Sequence, residues 1–320
     1  MNYKPILIVA GEPNSVFFEI FFKVLKKKIK SPLVLIASHK LILMQMKKLK
    51  FHKKIKILDI KKIKHYSLNN KVINLIDVNY NQKKPFEKIS NKSNNYINES
   101  FLIASNLIKH GFTNKLINGP ISKKNFLKKK KLGITEYISD KFFIKNYAML
   151  IYNKDLSVCP VTTHVPLKFV SKEISKKLII DKIKLINEFY EQKLKLKPKI
   201  AVLGLNPHCE TVSSFDEDKK IISPAINYLK KKNYKVLGPF SSDTIFLKQN
   251  RSKYDVILGM YHDQVLSPLK TLFEYDAINI TLGLPFIRIS PDHGPNENML
   301  GKNISNPLSL KKAILFLDKN

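Results

Sequence analysis

The feature that most constrains this chain is the regular return of short apolar runs, each of about four to eight residues, between amphipathic segments. "PILIVA" (5–10), "PLVLIAS" (32–38), "KVINLIDV" (71–78), "KLINGP" (115–120) and "YAMLIY" (147–152) read as strands. "SVCPVTT" (157–163), "KIAVLGL" (199–205), "DVILGM" (255–260) and "DAINITLG" (276–283) continue the series. Between them the apolar period lengthens to that of a helix over 14–30, 41–49, 98–111 and 171–194. In the first of these, Val16, Phe17, Ile20, Phe21, Val24 and Leu25 fall on one face, and in the last Ile179, Ile183, Ile186 and Tyr190 do. The 98–111 segment closes on Gly111, a common helix stop. Strands that are apolar throughout, alternating with helices, predict an α/β chain whose sheet is covered on both faces. The polar stretch 80–97 predicts an exposed loop, and no internal repeat is present.

The chain has 320 residues, 44 % of them apolar, which is enough for a sizeable core. No apolar window approaches the ~18 residues of a membrane span. The first run is cut by Gly11 and Glu12 and resembles those that follow, so it reads as a first strand and not a signal peptide. Cys159 and Cys209 lack metal-type spacing, and a reducing, cytoplasmic setting is expected. Lys and Arg total 57 against 25 Asp and Glu, which raises the question of a nucleic-acid partner. Nearly all of the cations are lysines, however, scattered along the whole chain, whereas base readers favour the bidentate fork of arginine. The expectation is therefore a solvated basic surface, with neither nucleic acid nor membrane as partner. The two arginines, Arg251 and Arg288, stand out in such a chain as positions where fork geometry matters.

Titratable groups gather at the ends of the expected strands. His39, His52, His65 and His110 lie in lysine-rich contexts and read as surface residues. His164 follows "VCPVTT", His208 follows "AVLGLNP" and His262 follows "VILGMY". Each stands beyond the carboxyl end of a strand, where ligands bind in open α/β sheets. One such histidine is most simply a hydrogen-bonded cap; three together suit a divalent metal with positions left open for substrate. Zn, Co or Ni fits imidazole donors, and Mg, which prefers oxygen, fits them less well. Asp243, Ser122, Lys123, Thr135, Glu136, Asn279, Arg288, Asp292 and His293 lie in turn-rich segments near the same ends. Singly they are ordinary turn residues; together they supply cations and amides for a small carboxylate- or phosphate-bearing acid. No G-x-G-x-x-G, P-loop or H-E-x-x-H is present, so a Rossmann site is not supported.

"VTTHVPL" (161–167), "VLGLNPHCE" (202–210), "GPFSSDTIF" (238–246), "MYHDQVLSPLK" (260–270) and "NITLGLPFIRISPDHG" (279–294) resemble, in order, the signature blocks of the 4-hydroxythreonine-4-phosphate dehydrogenase family of vitamin B6 biosynthesis. The resemblance runs from about residue 4 to 318 and is densest after 158. It implies a two-domain α/β/α fold of the isocitrate/isopropylmalate dehydrogenase type, with domains at 1–125 plus 262–320 and at 126–261, the second carrying dimer contacts. It implies a homodimer with the active site shared across the interface, and a metal on His164, His208 and His262, one of them given across the dimer. Substrate contacts are implied at Thr135, Lys270, Asn279 and Arg288. Asp243 and Asp263 are expected to orient a ligand histidine or act as base, and Lys270 to neutralise a substrate anion. The tail from 292 to 307 resembles an adenine-side cofactor loop, which implicates His293, Gly294 and Asn303 in binding NAD or NADP. The implied reaction is oxidation of 4-phosphooxy-L-threonine by NAD(P)+ and decarboxylation to 3-amino-2-oxopropyl phosphate.

Two departures qualify that expectation. Where the family carries "GHTE", this chain reads "GITE", so Ile134 stands in place of a substrate-binding histidine. Where the family reads like G-[DE]-P-A-G-I-G-P-E, the chain has "GEPNSVFFE": Gly11, Glu12, Pro13 and Glu19 match and the inner glycines do not. Bulk there is expected to hinder close backbone approach. The alternatives are a dehydrogenase for another phosphorylated hydroxy acid, or a repurposed anion- or nucleic-acid-binding relative.

Overall fold

A computed structural model of the chain describes residues 3–127, 133–212, 214–291 and 293–319. The strands are β1 (Ile6–Val9), β2 (Leu33–Ala37), β3 (Ile55–Ile57), β4 (Ile73–Asp77), β5 (Lys115–Asn118), β6 (Ala148–Tyr152), β7 (Ser157–Thr162), β8 (Ile200–Leu203), β9 (Val236–Phe240), β10 (Val256–Tyr261), β11 (Ile278–Leu282) and β12 (Ile287–Pro291). The helices are α1 (Phe17–Val24), α2 (His39–Lys48), α3 (Asn94–Lys109), α4 (Ile134–Lys141), α5 (Val170–Glu173), α6 (Lys176–Phe189), α7 (Ser223–Lys231), α8 (Ser242–Ile245), α9 (Lys248–Arg251), α10 (His262–Phe273) and α11 (Leu308–Lys319). They form two compact units, Met1–Lys141 with Pro285–Asn320, and Phe142–Leu284.

In the first unit the strands run in the order β3-β4-β2-β1-β5-β12, all parallel. Every side chain of β1 is fully buried. Against this sheet α1 sets an aromatic layer, with Phe17 stacked on Phe21 at 6.0 Å and Phe22 on Phe51 at 4.5 Å. Burying each of these rings contributes about 1.5–3 kcal/mol. In the second unit the order is β11-β6-β7-β10-β8-β9. Here β7, β10, β8 and β9 are parallel, while β6 is antiparallel to both β7 and β11. Central β10 is buried along its apolar length, and α10 contributes Val265, Leu266 and Leu269 to the core beside it.

The α/β class expected from the apolar periodicity is the one found; several limits moved, each for a local reason. The 14–30 helix is confined to Phe17–Val24, because 12–16 is tied into a turn by Asn14 N–H donating to Glu12 Oε1 and Ser15 Oγ donating to the Glu12 carbonyl. The 171–194 pattern divides at Ser175, whose side chain accepts from Leu178 N–H and starts α6. The expected rim loop 238–246 holds the end of an edge strand, β9, followed by α8. The expected domain limits at 125/126 and 261/262 also fall elsewhere. Residues 262–284 stay with the second unit because α10 continues directly from β10, and β11 pairs along its length with β6. Helix α4 stays with the first, where Tyr137 packs edge-on to Phe101 and Phe126.

Candidate active site

In the second unit, parallel β7, β10 and β8 end together, and each passes on to one of the three histidines. His164 lies just beyond Thr162, His262 opens α10 directly after Tyr261, and His208 sits on a single helical turn beyond Leu203. A buried polar bracket fixes these ends to one another. Thr162 Oγ1 donates to the Met260 carbonyl at 2.7 Å, joining β7 to β10. Gln264 accepts from Met260 N–H at 2.6 Å and donates to the Gly204 carbonyl at 2.8 Å, joining β10 to the end of β8. Beyond Gly204, Asp218 is 1 % exposed; it accepts from the backbone N–H of Leu205 at 2.9 Å and of Asn206 at 3.1 Å. A Cβ at Gly204 would lie 2.5 Å from that carboxylate, so this approach requires glycine. His208 and Cys209 then take left-handed φ values of 56° and 61°. The sequence shows neither the bracing role of Gln264, in the polar group that follows β10, nor that of Asp218, in an acidic run that resembles solvated surface.

The imidazoles of His164 and His262 stand 5.7 Å apart between centroids, inclined at 36°. His262 Nδ1 pairs with Asp263 Oδ1 at 2.7 Å, an arrangement that leaves Nε2 as the donor atom toward a cation. These two side chains therefore fit a divalent metal as a half-site. The expected triad is not assembled within one chain: among the described residues, no three His, Cys, Asp or Glu groups are placed to hold a metal together. His208 stands on its own left-handed turn beyond β8. Its charge is felt instead by Asp243, whose carboxyl is held below the ordinary range first by the Ser241 hydroxyl and further by His208. Asp263 thus orients the His262 imidazole, while Asp243 lies within the electrostatic reach of His208.

Lys270 lies two turns along α10 from His262 and is an exposed residue. Asn279, on β11 opposite Ile151, has a shielded Oδ1 that accepts no hydrogen bond from the described residues. A separate cleft of about 640 Å³ gathers Lys197, Lys199, Lys230, Lys235 and Lys253 at the amino ends of β8, β9 and β10. It lies at the opposite edge of the sheet from the histidines and is not part of the site.

In the first unit Arg288 is 0 % exposed on β12. Its Nε donates to Asn118 Oδ1 at 2.7 Å and its Nη1 to Thr135 Oγ1 at 3.3 Å. Burial pushes the guanidinium pKa down to about 9, partly opposed by the carboxylate of Glu136. The structure thus unites three residues singled out in the sequence, Thr135, Glu136 and Arg288, and adds Asn118, whose place at the end of a strand was the available signal. Ile134, half-buried at the start of α4, adds no polar group beside Thr135. Ser122, by contrast, serves its own turn, accepting from Asn125.

The glycine-poor segment after Gly11 is packed rather than open: Asn14, Ser15, Val16, Phe17 and Phe18 are all at most 2 % exposed. The close backbone approach falls instead between Gly11 and Gly119, where a Cβ on Gly11 would lie 2.4 Å from the Pro120 carbonyl and one on Gly119 2.1 Å from that of Ala10. Of the expected cofactor residues, His293 is half-buried with Nδ1 against the Gly294 carbonyl at 3.0 Å. Gly294 is exposed, a Cβ there meeting only Asn296 Oδ1 at 3.8 Å, and Asn303 is exposed at φ 58°. Asp292 lies outside the described residues. Both cysteines are free thiols, and burial pushes that of Cys159 up to about 12. Among the described residues no helix is long and apolar enough to cross a membrane.

Residues 28–317 match the family model of pyridoxal phosphate biosynthetic protein PdxA. A 4-hydroxythreonine-4-phosphate dehydrogenase from Sulfurihydrogenibium sp. is 38% identical over 97% of this chain and 96% of its own length. A D-threonate 4-phosphate dehydrogenase from Salmonella typhimurium is 31% identical over 92% of both chains. The crystal structure of 4-hydroxythreonine-4-phosphate dehydrogenase from Klebsiella pneumoniae superposes with a TM-score of 0.83 at 27% identity, covering 98% of each chain. With this fold and these relatives, the protein is an α/β oxidoreductase acting on a CH–OH group. It belongs to the family of pyridoxal phosphate biosynthetic protein PdxA.

Proposed function

We propose that the protein oxidises the secondary alcohol of 4-phosphooxy-L-threonine with NAD+ or NADP+, and that loss of CO2 from the product yields 3-amino-2-oxopropyl phosphate for pyridoxal 5'-phosphate synthesis. The observation that carries this reading is the shared ending of β7, β10 and β8 in His164, His262 and His208, braced by Gln264, together with the relatives of that name. In the oxidation, hydride leaves C3 of the substrate for the nicotinamide, and the hydroxyl proton passes to a base, for which Asp243 is the candidate. Asp263 holds the His262 ring in one tautomer. Lys270 and Arg288 neutralise the substrate's anionic groups, with Thr135 and Asn279 supplying further polar contacts. His164, His208 and His262 would hold a divalent metal, Zn, Co or Ni by the preference of imidazole and Mg less readily, with one histidine given across a homodimer. When bound, such a metal acidifies the substrate hydroxyl and stabilises the negative charge that builds up as CO2 leaves.

A second reading is favoured by Ile134 and by the D-threonate 4-phosphate dehydrogenase relative: the same chemistry on another phosphorylated hydroxy acid. Without the imidazole that the family carries there, the chain lacks one donor next to Thr135. One assay decides: NAD(P)H formation at 340 nm by the metal-reconstituted protein with 4-phosphooxy-L-threonine and with D-threonate 4-phosphate. A higher kcat/KM for the first supports the main reading; a higher value for the second replaces it.

A further inference from the structure

Helix α1 carries a partly buried ion pair that serves a distant turn. Glu19 is 3 % exposed, and its Oε1 accepts from Lys23 Nζ at 2.9 Å, one helical turn further on. The same Oε1 accepts from Ser305 N–H at 2.6 Å. Lys23 Nζ donates in addition to the carbonyls of Asn303 at 3.0 Å and Ser305 at 2.8 Å. An ammonium has three N–H donors, and here each has its own acceptor. The pair therefore works as a staple: one carboxylate and one ammonium grip both the N–H and the carbonyl of Ser305, some 280 residues away in sequence.

The stapled turn presents Asn303 and Ile304 to solvent while its backbone is held. Asn303 is exposed and left-handed, with φ 58°, and Ile304 beside it is 62 % exposed. The staple binds only the backbone of Asn303, through its carbonyl, and no hydrogen bond from its side chain to a described residue is found. Upstream, the same segment is anchored once more, where Val16 N–H donates to the Pro295 carbonyl at 3.1 Å. Asparagine takes a left-handed backbone more readily than other side-chain-bearing residues, and here that backbone is also held from outside by the staple. Charge-assisted bonds from a mostly buried pair supply that fixing more strongly than neutral ones.

We propose that Lys23 and Glu19 are positioning residues for the nicotinamide cofactor: the staple holds the 303–305 turn in the shape that receives it. This rests on the reading of His293, Gly294 and Asn303 as cofactor residues. Glu19 belongs to the N-terminal motif whose inner glycines this chain has replaced. The pairing with Lys23 gives that motif a role at the turn that does not depend on those glycines.

The test uses the full-length protein and the variants Lys23→Met, Lys23→Arg and Asn303→Ala. NADH and NADPH binding is titrated by nucleotide fluorescence, which requires neither metal nor turnover. Amide hydrogen exchange is followed over 303–305 in the same samples. Lys23→Met is expected to weaken nucleotide binding about tenfold, the loss of one strong charge-assisted interaction, and to speed exchange at Ser305. Lys23→Arg is expected to recover part of both. If Lys23→Met speeds exchange but leaves nucleotide affinity unchanged while Asn303→Ala weakens it, the cofactor site stands and the positioning role is overturned. If neither variant changes nucleotide affinity, the cofactor reading itself fails and the inference with it. Unchanged exchange at Ser305 in Lys23→Met would overturn the staple directly. Should Lys23→Met not fold, Lys23→Arg decides alone, because wild-type exchange and affinity in a variant with altered donor geometry would show that the staple does not set either.

Discussion

Arg288 Nε donates to Asn118 Oδ1 at 2.7 Å, and neither side chain reaches solvent. A buried guanidinium needs its donors matched, and Asn118 matches the one that fixes the direction of the fork. Removing the acceptor in Asn118→Ala leaves a buried charged donor unmet, at a cost of about 1.5–3 kcal/mol. Urea denaturation should show that loss, and KM for the phosphorylated substrate should rise with it. Asn118→Asp, which restores an acceptor, should recover KM. A stability loss with KM unchanged would reduce Asn118 to a purely structural residue.

Gln264 ties the end of β10 to the Gly204 carbonyl at the end of β8, so it sets the spacing of the elements that carry His262 and His208. Gln264→Leu keeps the volume and deletes both bonds, stranding Met260 N–H and the Gly204 carbonyl. The expected cost is about 1–3 kcal/mol. Zinc or cobalt affinity, measured by competition with a chromophoric chelator, should fall in the same variant. Gln264→Glu, which keeps the acceptor for Met260 N–H, should fall between wild type and Leu in stability.

Glu12 is 1 % exposed, and burial holds its carboxyl above the ordinary value of 4.5, in spite of hydrogen bonds from Asn14 N–H and Ser93 Oγ. A carboxyl raised on folding favours the folded state most when protonated. Its contribution is fully present below the unfolded value and is lost as pH rises through the folded one. Glu12→Gln, which keeps an acceptor and carries no charge, should therefore be more stable than wild type at pH 7. The advantage should shrink as pH falls toward 4.5. Paired denaturant titrations across that range would register the convergence; a difference constant with pH would contradict the assignment.

Ile134 begins α4, next to Thr135, which accepts from Arg288. Ile134→His returns a donor to that position. It should lower KM for 4-phosphooxy-L-threonine about tenfold, the worth of one hydrogen bond to a charged group. KM for D-threonate 4-phosphate, measured alongside, shows whether this position sets substrate choice or affinity alone.

Much of this protein was open to reading in its residues. Apolar runs bounded by turns located nine strands, because a strand buried on both faces must be apolar throughout. The same logic placed His164, His208 and His262 beyond strand ends, since position past a strand is a local property. Strands β3, β9 and β12 escaped it: β3 and β9 have an exposed side carrying Lys56 or Leu237–Gly238 and resemble loops, and β12 sets Arg288 and Pro291 among its apolar residues. What the tertiary structure alone decided are the partnerships. Asp218 and Gln264 look like a solvated acid and a helix-face amide until the fold buries them over Gly204. Asn118 and Arg288 are 170 residues apart, and Lys23 and Ser305 are 282 apart. No periodicity links positions so distant, because hydrogen bonds are specific to geometry that exists only once the sheet has formed. The sequence by itself determined which groups are available and at which strand ends they emerge. Folding decided which of them meet: His164 with His262, and Arg288 with Asn118 and Thr135. His208 stands on a left-handed turn beyond β8, and among the described residues no three such groups are placed to hold a metal together.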